Sequence, residues 1–215
     1  MILRVCDLAD SVLQHFVVAT DDERIGEEVL SAGYRAVMTQ RSHINGTSRC
    51  LEAFRKMTEE GARFSGFVNL QGDEPLLDPS GIALMAASIL DHNERIVTLV
   101  HRSHDPSWYF NPNRVKVVCN VLGDAIYFSR APIPHYRDQE QFATKGCLIH
   151  AGIYGFPAKL AEQIEKLDPA EAEINESLEQ LRWLDHGIRV HCIAVKRHYP
   201  GIDTPEDLEA IQGNF

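Results

Sequence analysis

The apolar residues of the chain recur in two rhythms, three- to four-residue steps and short continuous runs. Their alternation predicts an α/β protein. Ile2, Val5, Leu8, Ala9, Val12 and Leu13 follow helical spacing, so the chain opens inside an amphipathic helix. Residues 15–20 read as a buried strand that ends at Asp21-Asp22. A helix is predicted from Glu23 to Ala32, with Gly33 as its stop. Residues 36–39 form the next strand and 40–46 a polar loop. Thr47 is the predicted cap of a helix running through Leu51, Phe54 and Met57 towards Gly61.

Residues 66–70 are a short apolar run read as a buried strand. A helix begins at Ser80, with Ile82, Leu84, Met85, Ile89 and Leu90 as its apolar positions, and a strand spans 96–100. Residues 105–112 read as a loop rich in Pro, Asn and aromatics. Residues 115–120 and 125–128 flank a Gly-Asp turn, the pattern of an antiparallel hairpin. Residues 129–146, with Pro132 and Pro134, read as a flexible loop. A strand at 150–156, helices at 157–167 and 172–186, and a strand at 190–195 complete the described order. Near the C-terminus, Thr204 and Pro205 suit an N-cap and first helical turn, followed by Glu206 and Asp207 at the positive end of the dipole. That cap does not need Asp203. The expected fold is a single-domain, three-layer α/β/α sandwich over residues 1–215. Its sheet is Rossmann-like and mixed, with a small excursion after the first half.

Composition narrows the function classes. Acidic residues outnumber basic ones, 31 to 21, for a formal net charge of −10. Nucleic-acid backbones are bound mainly by clustered Lys and Arg, so this balance argues against them. The five cysteines are scattered, without a Cys-x-x-Cys pair, and read as reduced thiols of a cytoplasmic protein. No apolar run reaches the ~18 residues of a membrane span. Two histidine pairs, His101 with His104 and His186 with His191, lack convergent partners and read as surface residues.

Residues 68–75 concentrate the candidate chemistry. The apolar strand stops abruptly at Gln71, Gly72, Asp73 and Glu74, and ligands of open α/β sheets sit at the carboxyl ends of strands. Gly72 allows close backbone approach, and Asp73 offers a hard oxygen suited to Mg²⁺. Strand-end position alone leaves two readings open, a metal-binding turn and an ordinary solvated turn.

Eight stretches, in order, carry a resemblance. They are residues 18–22 (Val-Ala-Thr-Asp-Asp), 43–49 (His-Ile-Asn-Gly-Thr-Ser-Arg), 69–75 (Asn-Leu-Gln-Gly-Asp-Glu-Pro), 110–118 (Phe-Asn-Pro-Asn-Arg-Val-Lys-Val-Val) and 126–134 (Ile-Tyr-Phe-Ser-Arg-Ala-Pro-Ile-Pro). Three more follow at 150–156 (His-Ala-Gly-Ile-Tyr-Gly-Phe), 178–182 (Leu-Glu-Gln-Leu-Arg) and 201–208 (Gly-Ile-Asp-Thr-Pro-Glu-Asp-Leu). Together they resemble the cytidylyltransferases that activate eight-carbon acidic sugars, in particular the 3-deoxy-manno-octulosonate (Kdo) cytidylyltransferase family. Ser48 stands where that family usually has an acidic residue. The family also opens with a strand and a Gly- and Arg-rich phosphate loop, and Met1 aligns just after it. The chain is therefore expected to be an N-terminally incomplete cytidylyltransferase domain.

The resemblance implies Mg²⁺-dependent transfer of the cytidylyl group from CTP to Kdo, for lipopolysaccharide assembly in the cytoplasm. It implies Asp73 and Asp203 as catalytic Mg²⁺ ligands. It also implies substrate contacts from Arg49, Gln71, Arg130, His150, Tyr154, Glu179 and Gln180, with Arg130 gripping the sugar carboxylate. Read without the family, Arg49 would be a surface ion pair, Gln71 a turn cap, His150 a core histidine, and Glu179 and Gln180 a solvated helix face. A homodimer is implied, with strands 126–128 and 150–156 contributing, and neither nucleic acid nor membrane insertion is. The alternatives are transfer to a related acid such as a sialic acid, and an inactive remnant that binds sugar or only dimerises.

Overall fold

The computed structural model describes residues 1–138 and 140–196, so Asp203 and the predicted C-terminal cap lie outside the described residues. The chain divides into two compact units, and it passes between them within a strand and a helix of the middle region.

The first unit begins with helix α1 (Ile2–Val12), strand β1 (Val18–Thr20), helix α2 (Glu23–Ser31), strand β2 (Ala36–Met38) and helix α3 (Gly46–Glu59). Val5, Cys6 and Ala9 form the buried face of α1, as the spacing predicts. Asp22 caps α2 by accepting the Arg24 amide, and Gly33 leaves it in the left-handed region. β1 and β2 pair in parallel, Val18 opposite Ala36 through Thr20 opposite Met38. The cap of α3 is Asn45 rather than Thr47: its side chain accepts the Ser48 amide at 2.9 Å, and Ser48 Oγ donates back to the Asn45 carbonyl. Asparagine is at least as good an N-cap as threonine, and here it comes two residues earlier. Thr47 is instead buried inside the first turn.

The connecting region carries strand β3 (Gly66–Asn69) and helix α4 (Pro79–Asp91). The second unit contains strand β4 (Ile96–Ser103), helix α5 (Pro106–Phe110), strands β5 (Lys116–Cys119) and β6 (Ala125–Ser129), and helix α6 (Glu140–Lys145). It continues through strand β7 (Cys147–Pro157), helices α7 (Ala158–Glu165), α8 (Glu171–Glu176) and α9 (Gln180–Asp185), and strand β8 (Val190–Val195). The sheet order is β6-β5-β7-β4-β8, with β3 also paired to β7. β4 runs parallel to β8 and antiparallel to β7, so the sheet is mixed as expected. The β5–β6 hairpin also forms as predicted. Gly66 has a packing reason: a Cβ there would lie 2.2 Å from the Phe156 carbonyl oxygen and 2.7 Å from Ile89 Cγ2. Trp183 of α9 stands edge-on to Tyr154 and Phe156 of β7, at 4.7 and 5.3 Å, which seats the helix on the sheet.

Four further expectations change. The loop at 105–112 contains α5, capped by Asp105 through the Ser107 amide with Pro106 in its first turn. Five residues are too few to show a helical period. The stretch at 129–146 is not simply loose: it contains α6, and Phe142 and Tyr136 pack on Tyr109. The single helix expected at 172–186 is two, because Ser177 adopts φ 52 and ends α8. His101 is not a surface residue. It is buried on β4 with Trp108 edge-on at 5.4 Å.

Candidate active site

Each unit gathers its own set of candidate side chains. In the first, Gln71 follows the end of β3, and its carbonyl accepts the Glu74 amide across the turn that holds Gly72 and Asp73. The Gln71 amide lies over the start of α3: a Cβ on Gly46 would meet Gln71 Nε2 at 3.1 Å and Oε1 at 3.3 Å. A side chain at position 46 would therefore push the Gln71 amide outward by a few tenths of an ångström. Next to it Asn69 donates to Thr47 Oγ1 at 3.4 Å and accepts from Cys50 Sγ at 3.3 Å. Arg49 projects from the first turns of α3 and is held by Thr39 Oγ1 at 2.7 Å and Asp21 Oδ1 at 3.0 Å. The ion pair foreseen as its bland role is thus present, and it aims the guanidinium at the ends of β1 and β2. Asp73 is half-buried on its turn.

The sequence reading missed Glu52. It is buried on α3, and its carboxylate accepts from Lys56 Nζ at 2.7 Å, from the Gln40 amide at 2.9 Å and from His43 Nε2. The Lys56 ammonium, aided by the Gln40 amide and His43, holds its pKa down to about 2 against the cost of burial. This acid ties residues 40–43 to the helix that bears Arg49. Its only sequence signal was the Glu52–Lys56 spacing of four.

In the second unit, β7 carries His150 and Tyr154, whose rings lie 5.1 Å apart, and Phe128 of β6 stands edge-on to His150 at 5.1 Å. Thr98 of β4 hydrogen-bonds His150 Nε2 at 2.8 Å. Trp183 brings α9 against Tyr154, and with it Glu179 and Gln180 at the helix start. Glu179 is half-buried, whereas Gln180 is 2% exposed, so it does not belong to a solvated helix face. Its Nε2 has no hydrogen-bond partner among the described residues. A buried amide donor left in that state costs free energy that a ligand acceptor would recover.

Arg130 is also engaged by the main chain. Its Nε donates to the Glu176 carbonyl at 2.7 Å, Nη1 to the Pro112 carbonyl at 3.1 Å and Nη2 to the Ser177 carbonyl at 3.3 Å. Three of its five N–H groups are thus used on the main chain, leaving one on each terminal nitrogen for an anion. The guanidinium is first of all a clamp on the α8–α9 turn. Behind it, fully buried Lys116 donates to the carbonyls of Asn111, Arg114 and Arg130 at 2.9, 2.7 and 2.5 Å. Among the described residues no three His, Cys, Asp or Glu side chains converge as a metal-holding group. One half-buried carboxylate, Asp73, still matches the habits of Mg²⁺, which takes one or two protein carboxylates and completes its shell with phosphates and water. No described helix is long and apolar enough to cross a membrane.

The sequence model of the family described as Cytidylyltransferase matches residues 1–190. A 3-deoxy-manno-octulosonate cytidylyltransferase of Cytophaga hutchinsonii is 41% identical over 89% of the chain and 77% of its own length. One from Parabacteroides distasonis is 41% identical over 97% and 85%. Another from Zea mays is 39% identical over 94% and 67%. A solved structure, of CMP:2-keto-3-deoxy-manno-octonic acid synthetase complexed with CTP, superposes with a TM-score of 0.90 at 34% identity. It covers 99% of this chain and 86% of the other. The fold is therefore that of the α/β nucleotidyltransferases, with a mixed sheet flanked by helices.

Proposed function

The chain belongs to the 3-deoxy-manno-octulosonate cytidylyltransferase family, and we propose that it transfers the cytidylyl group of CTP to Kdo, yielding CMP-Kdo and pyrophosphate for lipopolysaccharide assembly in the cytoplasm. Residues 1–215 would serve this reaction as one cytidylyltransferase domain. The observation that carries the sugar half of this reading is the buried set of His150, Tyr154 and Gln180, with Gln180 Nε2 lacking a partner among the described residues. An apolar core would not retain such a donor, whereas a polyhydroxy acid supplies acceptors for it.

The roles divide by unit. In the first, Arg49 beside the start of α3 suits nucleotide phosphates, and Gln71 presents its amide beside that helix start. In the second, His150, Tyr154, Glu179 and Gln180 orient the sugar, and the two remaining Arg130 N–H groups are available to its carboxylate. The anomeric oxygen forms its bond to the α-phosphorus while the bond to the bridging β-oxygen breaks and pyrophosphate departs. That in-line displacement needs alignment and charge neutralisation more than a covalent intermediate. Mg²⁺, held by Asp73 and, by its matching position, Asp203, would supply the neutralising charge when bound.

The same proposal includes a homodimer. β6 lies at the end of the sheet order and leaves Ile126 60% exposed with Tyr127 beside it, an apolar edge that a second copy would cover. β7 is paired on both sides and its side chains are buried, so it is not part of that surface. The test of function is pyrophosphate release from CTP with Kdo. Release that requires both substrates, stops with a chelator and is not sustained by a sialic acid supports the assignment. Equal release with the sialic acid, or none with Kdo, overturns it.

A further inference from the structure

β4 and β7 lose register at one place. Thr98 lies opposite Tyr154, but Val100 lies opposite His150, so two steps on β4 face four on β7. The extra residues of β7 are accommodated at Gly152, whose φ is 77. This bulge brings two groups of β7 to one hydroxyl of β4: Thr98 Oγ1 lies 2.6 Å from the Ile153 carbonyl oxygen and 2.8 Å from His150 Nε2. Bulges of this kind re-aim side chains beside functional sites.

The proton count at that hydroxyl decides the histidine. Thr98 has one hydroxyl proton, and the Ile153 carbonyl can only accept, so the proton is directed there. The hydroxyl oxygen must then accept from the ring, and His150 Nε2 carries a proton. We infer that Thr98 is a positioning residue that holds His150 in its Nε2–H tautomer. Any hydrogen bond made by Nδ1 of the neutral ring is then one it accepts. A sugar hydroxyl meeting that atom donates to it. Thr98 is fully buried, so water does not compete for its oxygen. Phe128 and Tyr154 hold the ring plane from its sides. The same arrangement, in which a neighbouring group fixes one ring nitrogen so that the other meets the ligand, governs histidines in many sites. The sugar-binding half of the inference rests on the function proposed above; the tautomer does not.

The test is a two-bond ¹⁵N–¹H correlation of histidine-labelled protein at a pH where His150 is neutral, with His150→Gln to assign its signals. The wild-type ring is expected to bear its proton on Nε2 alone. Thr98→Val keeps the side-chain shape but removes the acceptor. It should populate both tautomers and raise the KM for Kdo roughly tenfold, the worth of one lost hydrogen bond. The KM for CTP and kcat should be unchanged. Thr98→Ser should restore both the tautomer and the KM. A proton on Nδ1 in the wild-type protein, or an unaltered tautomer or Kdo KM in Thr98→Val, overturns the assignment. The wild-type spectrum decides even if the valine variant does not fold. Absence of turnover with Kdo would defeat the proposed function without touching the tautomer.

Discussion

Arg130 and Glu176 exchange main chain for side chain. The Glu176 carboxylate accepts the Arg130 amide at 2.8 Å, and the Arg130 guanidinium donates to the Glu176 carbonyl at 2.7 Å. Ser129 Oγ adds a second bond to the same carboxylate at 2.5 Å. The end of β6 and the end of α8 are therefore locked together just before Glu179 and Gln180. Glu176→Ala should destabilise the protein by about 2 kcal/mol, the usual scale for hydrogen bonds to a charged group. Glu176→Gln should lose less. The urea midpoint reads both, and a midpoint unmoved by Glu176→Ala would remove the lock from the account.

Lys116 supports the same region from inside. Its ammonium is fully buried and holds three carbonyls, and burial pushes its pKa below that of an ordinary lysine. Lys116→Met fills similar space but leaves those carbonyls without their donor. A loss of about 3 kcal/mol is expected, set by the cost of stranding buried polar groups. A variant as stable as the wild type in denaturant titration would show that the carbonyls find other partners.

Burial, with a smaller contribution from the Arg114 guanidinium, pushes the His101 pKa from its ordinary 6.5 down to about 4. Between these values the unfolded chain binds a proton that the folded one refuses, so stability falls as pH drops from 6.5 towards 4. The loss has an upper bound of about 3 kcal/mol. His101→Gln should flatten that part of the profile. Thermal midpoints across this pH range test it, and equal slopes for variant and wild type would contradict it. Glu52, with its pKa held near 2, adds its own loss only below the ordinary carboxylate value.

Asp73 is proposed for metal and phosphate chemistry rather than for folding. Asp73→Asn should leave the thermal midpoint in place and reduce kcat by at least roughly a hundredfold, the scale of losing a charge-stabilising group. Activity retained at high Mg²⁺ would point to a carboxylate elsewhere.

Periodicity was a reliable guide where an element is long and one face is covered. The amphipathic α1, the β5–β6 hairpin and the strand at 190–195 follow from local spacing and turn residues alone. Short elements escaped because their cause is not periodic: α5 rests on an Asp-Pro cap, and the α8–α9 break rests on one residue at positive φ. The candidate residues were recognisable by family position, since hydrogen-bonding side chains in an ordered set of motifs are visible in one dimension. Their partners were not. Nothing within a few residues of Arg130 announces that Pro112, Glu176 and Ser177 will engage its guanidinium, and nothing near His150 announces Thr98, fifty-two positions away.

Membership of the family, the mixed α/β plan and the identity of the polar side chains were thus determined by the sequence itself, through patterns that repeat over neighbouring residues. Which of those side chains are engaged by the fold, and in what protonation form they meet a ligand, was decided only by tertiary structure. Hydrogen bonds depend on atoms meeting within about 3 Å. Strand pairing and a bulge bring them together regardless of their separation along the chain.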